Sequence, residues 1–310
     1  MPIVKPEAMN FSDKNIIMII SGLPGTGKTT LALSAPGVLL IDTDEGMARV
    51  NPAHRKDASI CKTYEEVLAD IKAAEGQYKT IVVDTTGALI EYMKDWAMRT
   101  DAKATKKDGG FSLQGYGIIK SEFIRLSAEL RKKFNVIYLF HENMTKLDEN
   151  VFYELVVEGS ARTLVYQPAD LAAHLFIQNG KRYLGFTPTE QYSAKSAYGI
   201  RGLVEVPELK EGDPNEFLSK LFVQVRKNLD DESKTLAPQQ TQYAEVMDAV
   251  KRVCSEIEKP EDVPGALEML QHLPHALTSE KESKAALKKR LADLNIVWDK
   301  ATKSYKYAES

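Results

Sequence analysis

The chain has few cysteines, no long apolar run and no large excess of charge of either sign. Its two cysteines, Cys61 and Cys254, are far apart, which excludes a disulfide framework and a zinc-binding cysteine spacing. No stretch approaches the roughly 18 apolar residues of a membrane span, and the N-terminal segment lacks the apolar core of a signal peptide. We therefore expect a protein of a reducing, cytoplasmic compartment that does not act at a membrane.

The charge balance restricts the partners of the protein. The 310 residues include 41 Lys and Arg against 44 Asp and Glu, a net charge of −3. Because no basic field covers the whole molecule, binding to nucleic acid would need a local patch of cations. Hydrophobic residues make up 43% and charged residues 27% of the chain, the composition of a globular protein with enough apolar side chains for a core.

Short apolar segments alternate with helix-forming segments along the first 140 residues. Each apolar segment has the length and continuous hydrophobicity of a strand buried on both faces, and these strands are predicted at 16–20, 37–42, 80–84 and 136–140. The alternation predicts an α/β fold, a mostly parallel sheet flanked by helices. Asn179-Gly180, between two apolar stretches, predicts a hairpin with a type I′ turn that adds antiparallel strands to one edge.

The composition changes towards the C-terminus, which predicts three regions. The core covers residues 1–208, a helix and a polar linker cover 209–239, and a small helical domain covers 240–310. The linker is predicted from the polar stretch at 228–241. A last helix carries five cations, for which a solvated surface, a second DNA contact and a partner-binding role all remain open. These cations are Lys281, Lys284, Lys288, Lys289 and Arg290.

A phosphate-binding loop follows the first predicted strand. The segment from Gly22 to Thr29 matches the Walker A pattern G-x-x-x-x-G-K-[ST] completely and lies between a buried strand and a helix. Lys28 is expected to reach the β- and γ-phosphates of ATP, and the hydroxyl of Thr29 is expected to bind Mg²⁺. The residues predicted to hold the nucleotide are Gly22, Leu23, Pro24, Gly25, Thr26, Gly27, Lys28, Thr29 and Thr30.

Asp84 is the second predicted ligand of Mg²⁺. It ends the buried strand at 80–84, as the Walker B aspartate of a P-loop NTPase does, and it would hold the metal through water. The ordinary alternative is an aspartate that only caps the next helix.

The order of the motifs resembles the core of RecA-like ATPases. The loop alone resembles that of AAA+ ATPases, but those carry a glutamate directly after the Walker B aspartate, where this chain has Thr85. The phosphate loop, the acidic turn at 41–46, the strand ending in Asp84, a Gly/Lys loop and the strand ending in His141 follow one another as in RecA-like proteins. Over roughly residues 14–205 the chain also resembles a narrower family, the phage RecA-like ATP-binding (AAA-domain) proteins of the Sak-type single-strand annealing group.

This resemblance implies roles for three residues in catalysis. RecA-like proteins place the catalytic carboxylate at the end of the strand after the phosphate loop, where this chain has Asp44, with Glu45 as the neighbouring candidate. A solvated acidic turn remains the alternative for both. His141 aligns with a polar residue that senses the γ-phosphate, although a strand-end histidine is often only a hydrogen-bonded surface residue.

The resemblance also implies a DNA site and an assembly. RecA-like proteins bind DNA with the loops after their third and fourth strands, here 100–117 and 143–160. In the first loop, cations would meet phosphates and rings would stack on bases, unless it is an ordinary solvated loop whose rings pack into the core. The candidates are Lys103, Lys106, Lys107, Phe111 and Tyr116. Lys195 and Arg162 are the candidates for a cation that acts on the ATP site of the next subunit.

The function that the resemblance implies is a RecA-like phage recombination protein with DNA-stimulated ATPase activity. Such a protein would bind single-stranded DNA, promote annealing, form a homo-oligomeric ring or filament, and work beside a single-strand-binding protein in the host cytoplasm. A kinase lacks support because no arginine-rich lid segment is present. An AAA+ motor and a nucleotide-dependent binding module with little turnover remain the alternatives.

Overall fold

The computed structural model describes residues 13–147, 150–157, 165–210 and 212–308, and for 232–237 the helical backbone alone. The described residues fall into two compact units, one up to Asn228 and one from Leu229 onward. In the described part of the chain, no helix combines the length and the apolar character needed to cross a membrane.

A mostly parallel sheet forms the centre of the first unit. Among the described residues it has ten strands in the order β10-β8-β7-β1-β5-β4-β2-β3, with β6 paired to β5 and β9 to β7. The strands are β1 Ile17–Gly22, β2 Val38–Asp42, β3 Ala58–Ile60, β4 Thr80–Asp84, β5 Asn135–Leu147, β6 Asn150–Leu155, β7 Leu171–Gln178, β8 Lys181–Gly185, β9 Lys195–Ser196 and β10 Leu203–Val206. Strands β7, β1, β5, β4, β2 and β3 are parallel to their neighbours, and β8, β10, β6 and β9 pair antiparallel. The predicted α/β fold class is therefore confirmed.

Helices cover this sheet. They are α1 Lys28–Ala32, α2 Tyr64–Ala73, α3 Thr86–Thr100, α4 Leu113–Arg131 and the first part of α5 Phe217–Glu256. Apolar residues of α2, α3 and α4 form one core with alternate residues of β1, β2, β4 and β5. The start of α5 belongs to the same unit, because Leu218 and Phe222 are fully buried and Ser219 N–H donates to the carbonyl of Ser34.

Local signals explain most of these elements. The side chain of Thr63 caps α2, that of Thr85 caps α3 and that of Ser112 caps α4. Asn179 and Gly180 both have positive φ, 52° and 77°, as a type I′ turn requires. The loop predicted at 100–117 is shorter than expected, because α4 already begins at Leu113.

The second unit has its own core and contains more structure than the sequence predicts. Helix α5 continues to Glu256, followed by α6 Val263–Gln271, α7 Ser279–Asp293 and a hairpin of β11 Ile296–Asp299 and β12 Ser304–Tyr307. Val250, Val263 and Leu287 are among the residues of its core. Neither α6 nor the hairpin is predicted from the sequence.

The polar stretch at 228–241 is helix, where the sequence predicts a linker. Helix α5 runs through it without a break although the stretch contains Pro238. The stretch has no glycine, and its Asp, Glu, Lys, Leu, Ala and Gln residues tolerate or favour helix. The compact unit around the sheet also ends at Asn228, later than the predicted boundary at 208.

Candidate nucleotide-binding site

The phosphate loop links β1 to α1. Gly27 caps α1 in the left-handed region at φ 94°, a conformation in which a side chain would be strained. The Lys28 ammonium folds back over the loop and donates to the carbonyl oxygens of Gly22 and Leu23 at 2.9 and 3.0 Å. Burial lowers the pKa of Lys28, while the nearby carboxylates of Asp84 and Glu142 act in the opposite direction. The loop therefore presents a partly desolvated cation to any bound anion.

Thr29 and Asp84 meet at the end of the sheet. The Thr29 hydroxyl donates to Asp84 Oδ2 at 2.6 Å, and Asp84 is only 4% exposed. Burial raises the pKa of Asp84, and the hydrogen bond from Thr29 opposes that rise. A hydroxyl oxygen and a carboxylate oxygen side by side are hard ligands suited to Mg²⁺, so the residues present fit the metal that the motif implies.

The acidic turn after β2 packs directly against Asp84. The buried carboxylate of Asp42 accepts the backbone N–H groups of Gly46 and Met47 at 2.8 and 2.9 Å, which fixes the turn. A Cβ added at Gly46 would lie 2.8 Å from Asp84 Oδ2, so only glycine fits at this position. Asp42, which the sequence predictions do not single out, thus holds the turn against Asp84.

The two candidate bases differ in their surroundings. Asp44 Oδ2 lies 3.1 Å from the Arg49 guanidinium and 3.8 Å from His141 Nε2. Glu45 is exposed and has a left-handed backbone with φ 51°. The structure brings Asp44, rather than Glu45, next to His141.

His141 lies beside the start of the phosphate loop, because it pairs with Gly22 in the parallel register of β1 and β5. Burial and the charge of Lys28 lower the pKa of His141, with Asp84 and Asp44 acting against them. Near pH 7 the imidazole is therefore expected to be neutral, which suits it to hydrogen bonding with phosphate or water.

A buried pair that the sequence predictions miss lies behind the loop. Glu142 Oε2 is 2.7 Å from His174 Nδ1, and both side chains are 2% exposed. The His174 ring stacks on Tyr192 with centroids 4.4 Å apart. Glu142 follows His141 directly, but no sequence signal links it to His174 because the two lie on different strands.

Arg182 and a cavity complete the surroundings of the loop. Arg182 Nε donates to the carbonyl of Thr26 at 3.1 Å. A cavity of about 350 Å³ opens beside Gly27 and Thr30, next to the place where the loop would hold phosphates. Its other lining residues include Asn51, His54, Leu175, Arg182, Pro207, Leu209, Asn215 and Phe217. Glu208, Glu216 and Lys220 also line the cavity. Apolar walls with a few polar and charged groups suit a nucleoside.

The predicted DNA-contact residues divide into two groups. Lys103, Lys106 and Lys107 are exposed around a short turn. Phe111 and Tyr116 are half-buried, pack edge to face at 5.0 Å and lie against the core. The three lysines are therefore accessible to a ligand. The rings of Phe111 and Tyr116 instead pack the turn against α4.

The remaining candidates are the two cations predicted to act on a neighbouring subunit and the second predicted DNA loop. The Lys195 ammonium donates to the carbonyl of Tyr166 at 3.3 Å within the same chain. Arg162 lies outside the described residues, and its predicted role stays a prediction. Part of the second predicted DNA loop, 143–160, is a regular hairpin of β5 and β6.

Three comparisons with known proteins bear on the family of the chain. A family model described as an AAA domain matches residues 14–198. No curated protein matches the chain. One similar solved structure is described as a prototypical ATPase from the type III secretion system of pathogenic bacteria, with 14% identity, a TM-score of 0.35 and coverage of 53% of this chain and 52% of that chain. The matched region thus spans about half the length of that ATPase.

Proposed function

Because the chain belongs to the AAA-domain family whose model matches residues 14–198, we propose that it binds ATP with Mg²⁺ in the phosphate loop and hydrolyses the terminal phosphate. The observation that carries this proposal is the 2.6 Å hydrogen bond from the Thr29 hydroxyl to Asp84, close to the positive charge of Lys28. These groups supply one cation for the phosphate oxygens and two oxygen ligands for a hard metal ion.

In the proposed reaction, water attacks the γ-phosphorus and the bond to the bridging oxygen of the ADP leaving group breaks. Mg²⁺, when bound, neutralises charge on the phosphate oxygens. Asp44 would orient the water or accept its proton, and the 3.8 Å between its carboxylate and the imidazole of His141 supports a shared role in holding that water. The cavity beside Thr30 would take the nucleoside.

Substitutions in the loop and the turn test this proposal. Lys28→Ala is expected to raise the Kd for ATP roughly 10- to 100-fold, since hydrogen bonds to charged groups contribute about 1.5–3 kcal/mol. Asp44→Asn is expected to leave ATP binding intact and slow turnover, with Glu45→Gln as the matched comparison. Anisotropy of a labelled ATP and release of phosphate measure the two effects. Full hydrolysis by the Lys28 variant would reject the site.

We propose further that the ATPase acts on single-stranded DNA as a Sak-type annealing protein, working as a homo-oligomer beside a single-strand-binding protein. The family resemblance and the exposed Lys103, Lys106 and Lys107 support this proposal. Replacing the three lysines with glutamine is expected to reduce the slope of log affinity against log salt by about 2, at roughly 0.7 for each phosphate contact. An unchanged slope would remove this turn from the DNA site.

A nucleotide-dependent binding module with little turnover is the second candidate function. The observation that favours it is the ion pair of Asp44 with Arg49 at 3.1 Å, which engages the carboxylate that would otherwise act on water. Steady-state phosphate release with and without single-stranded DNA separates the two. Stimulation by DNA supports the ATPase, and tight ATP binding without release supports the module.

A further inference from the structure

We propose that the second unit carries a nucleic-acid-binding surface of its own, formed by helix α7 and the hairpin of β11 and β12. It would bind a phosphate backbone with the lysines of the helix and bases with the aromatic rings of the hairpin. The inference rests on the second unit alone and does not depend on the nucleotide site.

Helix α7 is fixed so that its lysines face outward. Ser283 and Leu287 are buried on its inner side. Arg290 anchors the same side, because its guanidinium donates to the carbonyl of Ile257 at 2.7 and 3.2 Å. At 3.6 residues per turn, the residues on the opposite side form one exposed strip. That strip carries Lys281, Lys284, Lys288 and Lys289.

The strip and the hairpin have an excess of positive charge in an acidic protein. Residues 279–308 contain eight Lys and Arg and four Asp and Glu, whereas the whole chain has a net charge of −3. Three of these carboxylates have partners within the unit: Glu280 pairs with Lys284 at 2.6 Å, Asp299 with Lys306 at 3.2 Å, and Glu282 accepts the Tyr243 hydroxyl at 2.6 Å.

Five cations of this surface are left without such partners. Among the described residues, no ion pair involves Lys281, Lys288, Lys289, Lys300 or Lys303. Helix α7 has no carboxylate between Ser283 and Ala292, so the middle of its outer side carries only positive charge before the exposed Asp293 at its end. Such a strip is complementary to a phosphate backbone.

The hairpin adds rings beside this strip. Trp298 is 49% exposed and Tyr307 is 54% exposed, a large apolar surface to leave in water. Tyr305 packs edge to face against Trp298 at 4.9 Å and keeps its ring in place. Glu261 and Glu268 line the groove beside Trp298, so phosphates are expected along α7 and bases at the hairpin. Rings next to cations favour nucleic acid over an acidic peptide, since every base can stack.

The two tryptophans of the chain allow a direct test in the full-length protein. Trp96→Phe leaves Trp298 as the single tryptophan, and its emission is expected to fall when a 30-nucleotide single strand or a 30-base-pair duplex is added without ATP. Larger quenching by the single strand identifies stacking on bases, and larger quenching by the duplex identifies groove binding, so either supports the proposal. Unchanged emission while labelled DNA is bound would overturn it, as would failure of the protein to bind DNA at low salt.

Charge substitutions provide the second measurement. Lys288→Gln with Lys289→Gln is expected to reduce the slope of log affinity against log salt by about 1.4 for single strands or about 1.8 for duplex. Lys251→Gln with Arg252→Gln, on the exposed side of α5 in the same unit, removes the same charge and is expected to leave the slope unchanged. The proposal would be overturned if the two double variants had the same slope of log affinity against log salt. It would also be overturned if poly-glutamate quenched the emission of Trp298 and DNA did not. Circular dichroism and ATP binding check that each variant is folded.

Discussion

A single hydroxyl connects the phosphate loop to Asp84, the proposed metal ligand on the sheet. Because Thr29 donates to Asp84, Thr29→Ala leaves a buried carboxylate without its donor and removes one oxygen ligand. We expect the Mg²⁺ concentration for half-maximal ATP hydrolysis to rise roughly 10- to 100-fold, from about 1.5–3 kcal/mol for a hydrogen bond to a charged group. Thr29→Ser keeps the hydroxyl and should stay close to the wild-type value. A Thr29→Ala protein with normal Mg²⁺ dependence would contradict the assignment.

Arg182 joins the β7–β8 hairpin to the phosphate loop across the sheet. Its Nε–H group donates to the carbonyl of Thr26, which orients a loop that must point its N–H groups at phosphate. Arg182→Gln is expected to weaken ATP binding about 5- to 10-fold, from the roughly 1 kcal/mol of a lost hydrogen bond. Lys181→Gln, next to it and exposed, is the matched control. Equal affinity of the two variants for a labelled ATP would argue against a role for Arg182.

The sequence predicts the residues of continuous motifs better than those that meet across strands. Lys28, Thr29 and Asp84 lie close together because a buried strand and a glycine-rich turn determine where the chain goes next. Arg182 and the Glu142–His174 pair depend on the register of neighbouring strands. Parallel strands pair only through long crossover connections, so the residues that meet across them are far apart in the chain and form no continuous motif.

At the scale of elements, burial decides what the sequence can predict. The four strands predicted from apolar runs are present, because a strand buried on both faces must be apolar throughout. The sequence does not predict strand β3, because it lies at an edge of the sheet and its residues are exposed or half-buried. It does not predict the β11–β12 hairpin for a related reason, since most of the side chains of that hairpin are exposed.

Helix α5 contains a proline at a position where a helix is weakened. Pro238 lies inside the helix, lacks an N–H group and crowds the preceding turn. Pro238→Ala is therefore expected to stabilise the protein by up to about 3 kcal/mol, and to increase the ellipticity at 222 nm. Gln239→Ala, on the next exposed position, changes only side-chain propensity and should alter stability by a few tenths of a kcal/mol. A lower free energy of unfolding for Pro238→Ala would contradict this prediction, because it would mean that the folded chain requires an interrupted helix at this position.

At the scale of the whole molecule, the two compact units have separate cores, and each contains one of the two tryptophans. Trp96 lies on α3 in the unit with the phosphate loop, and Trp298 lies on β11 in the other. Two variants with a single tryptophan, Trp298→Phe and Trp96→Phe, therefore report the unfolding of each core by its own fluorescence.

This arrangement predicts how ATP affects stability. Mg²⁺ and ATP at about 100 times the Kd should stabilise the unit that binds them by roughly 2.7 kcal/mol. The denaturation midpoint reported by Trp96 is expected to rise, and that reported by Trp298 is expected to rise less, because only the first unit contains the site. Lys28→Ala in the Trp298→Phe background should reduce the stabilisation to roughly 0.4–1.4 kcal/mol, because a Kd raised 10- to 100-fold leaves ATP at only about 1 to 10 times the Kd. Equal shifts at both tryptophans would contradict the prediction, because they would mean that the continuous helix α5 makes the two cores unfold as one cooperative unit.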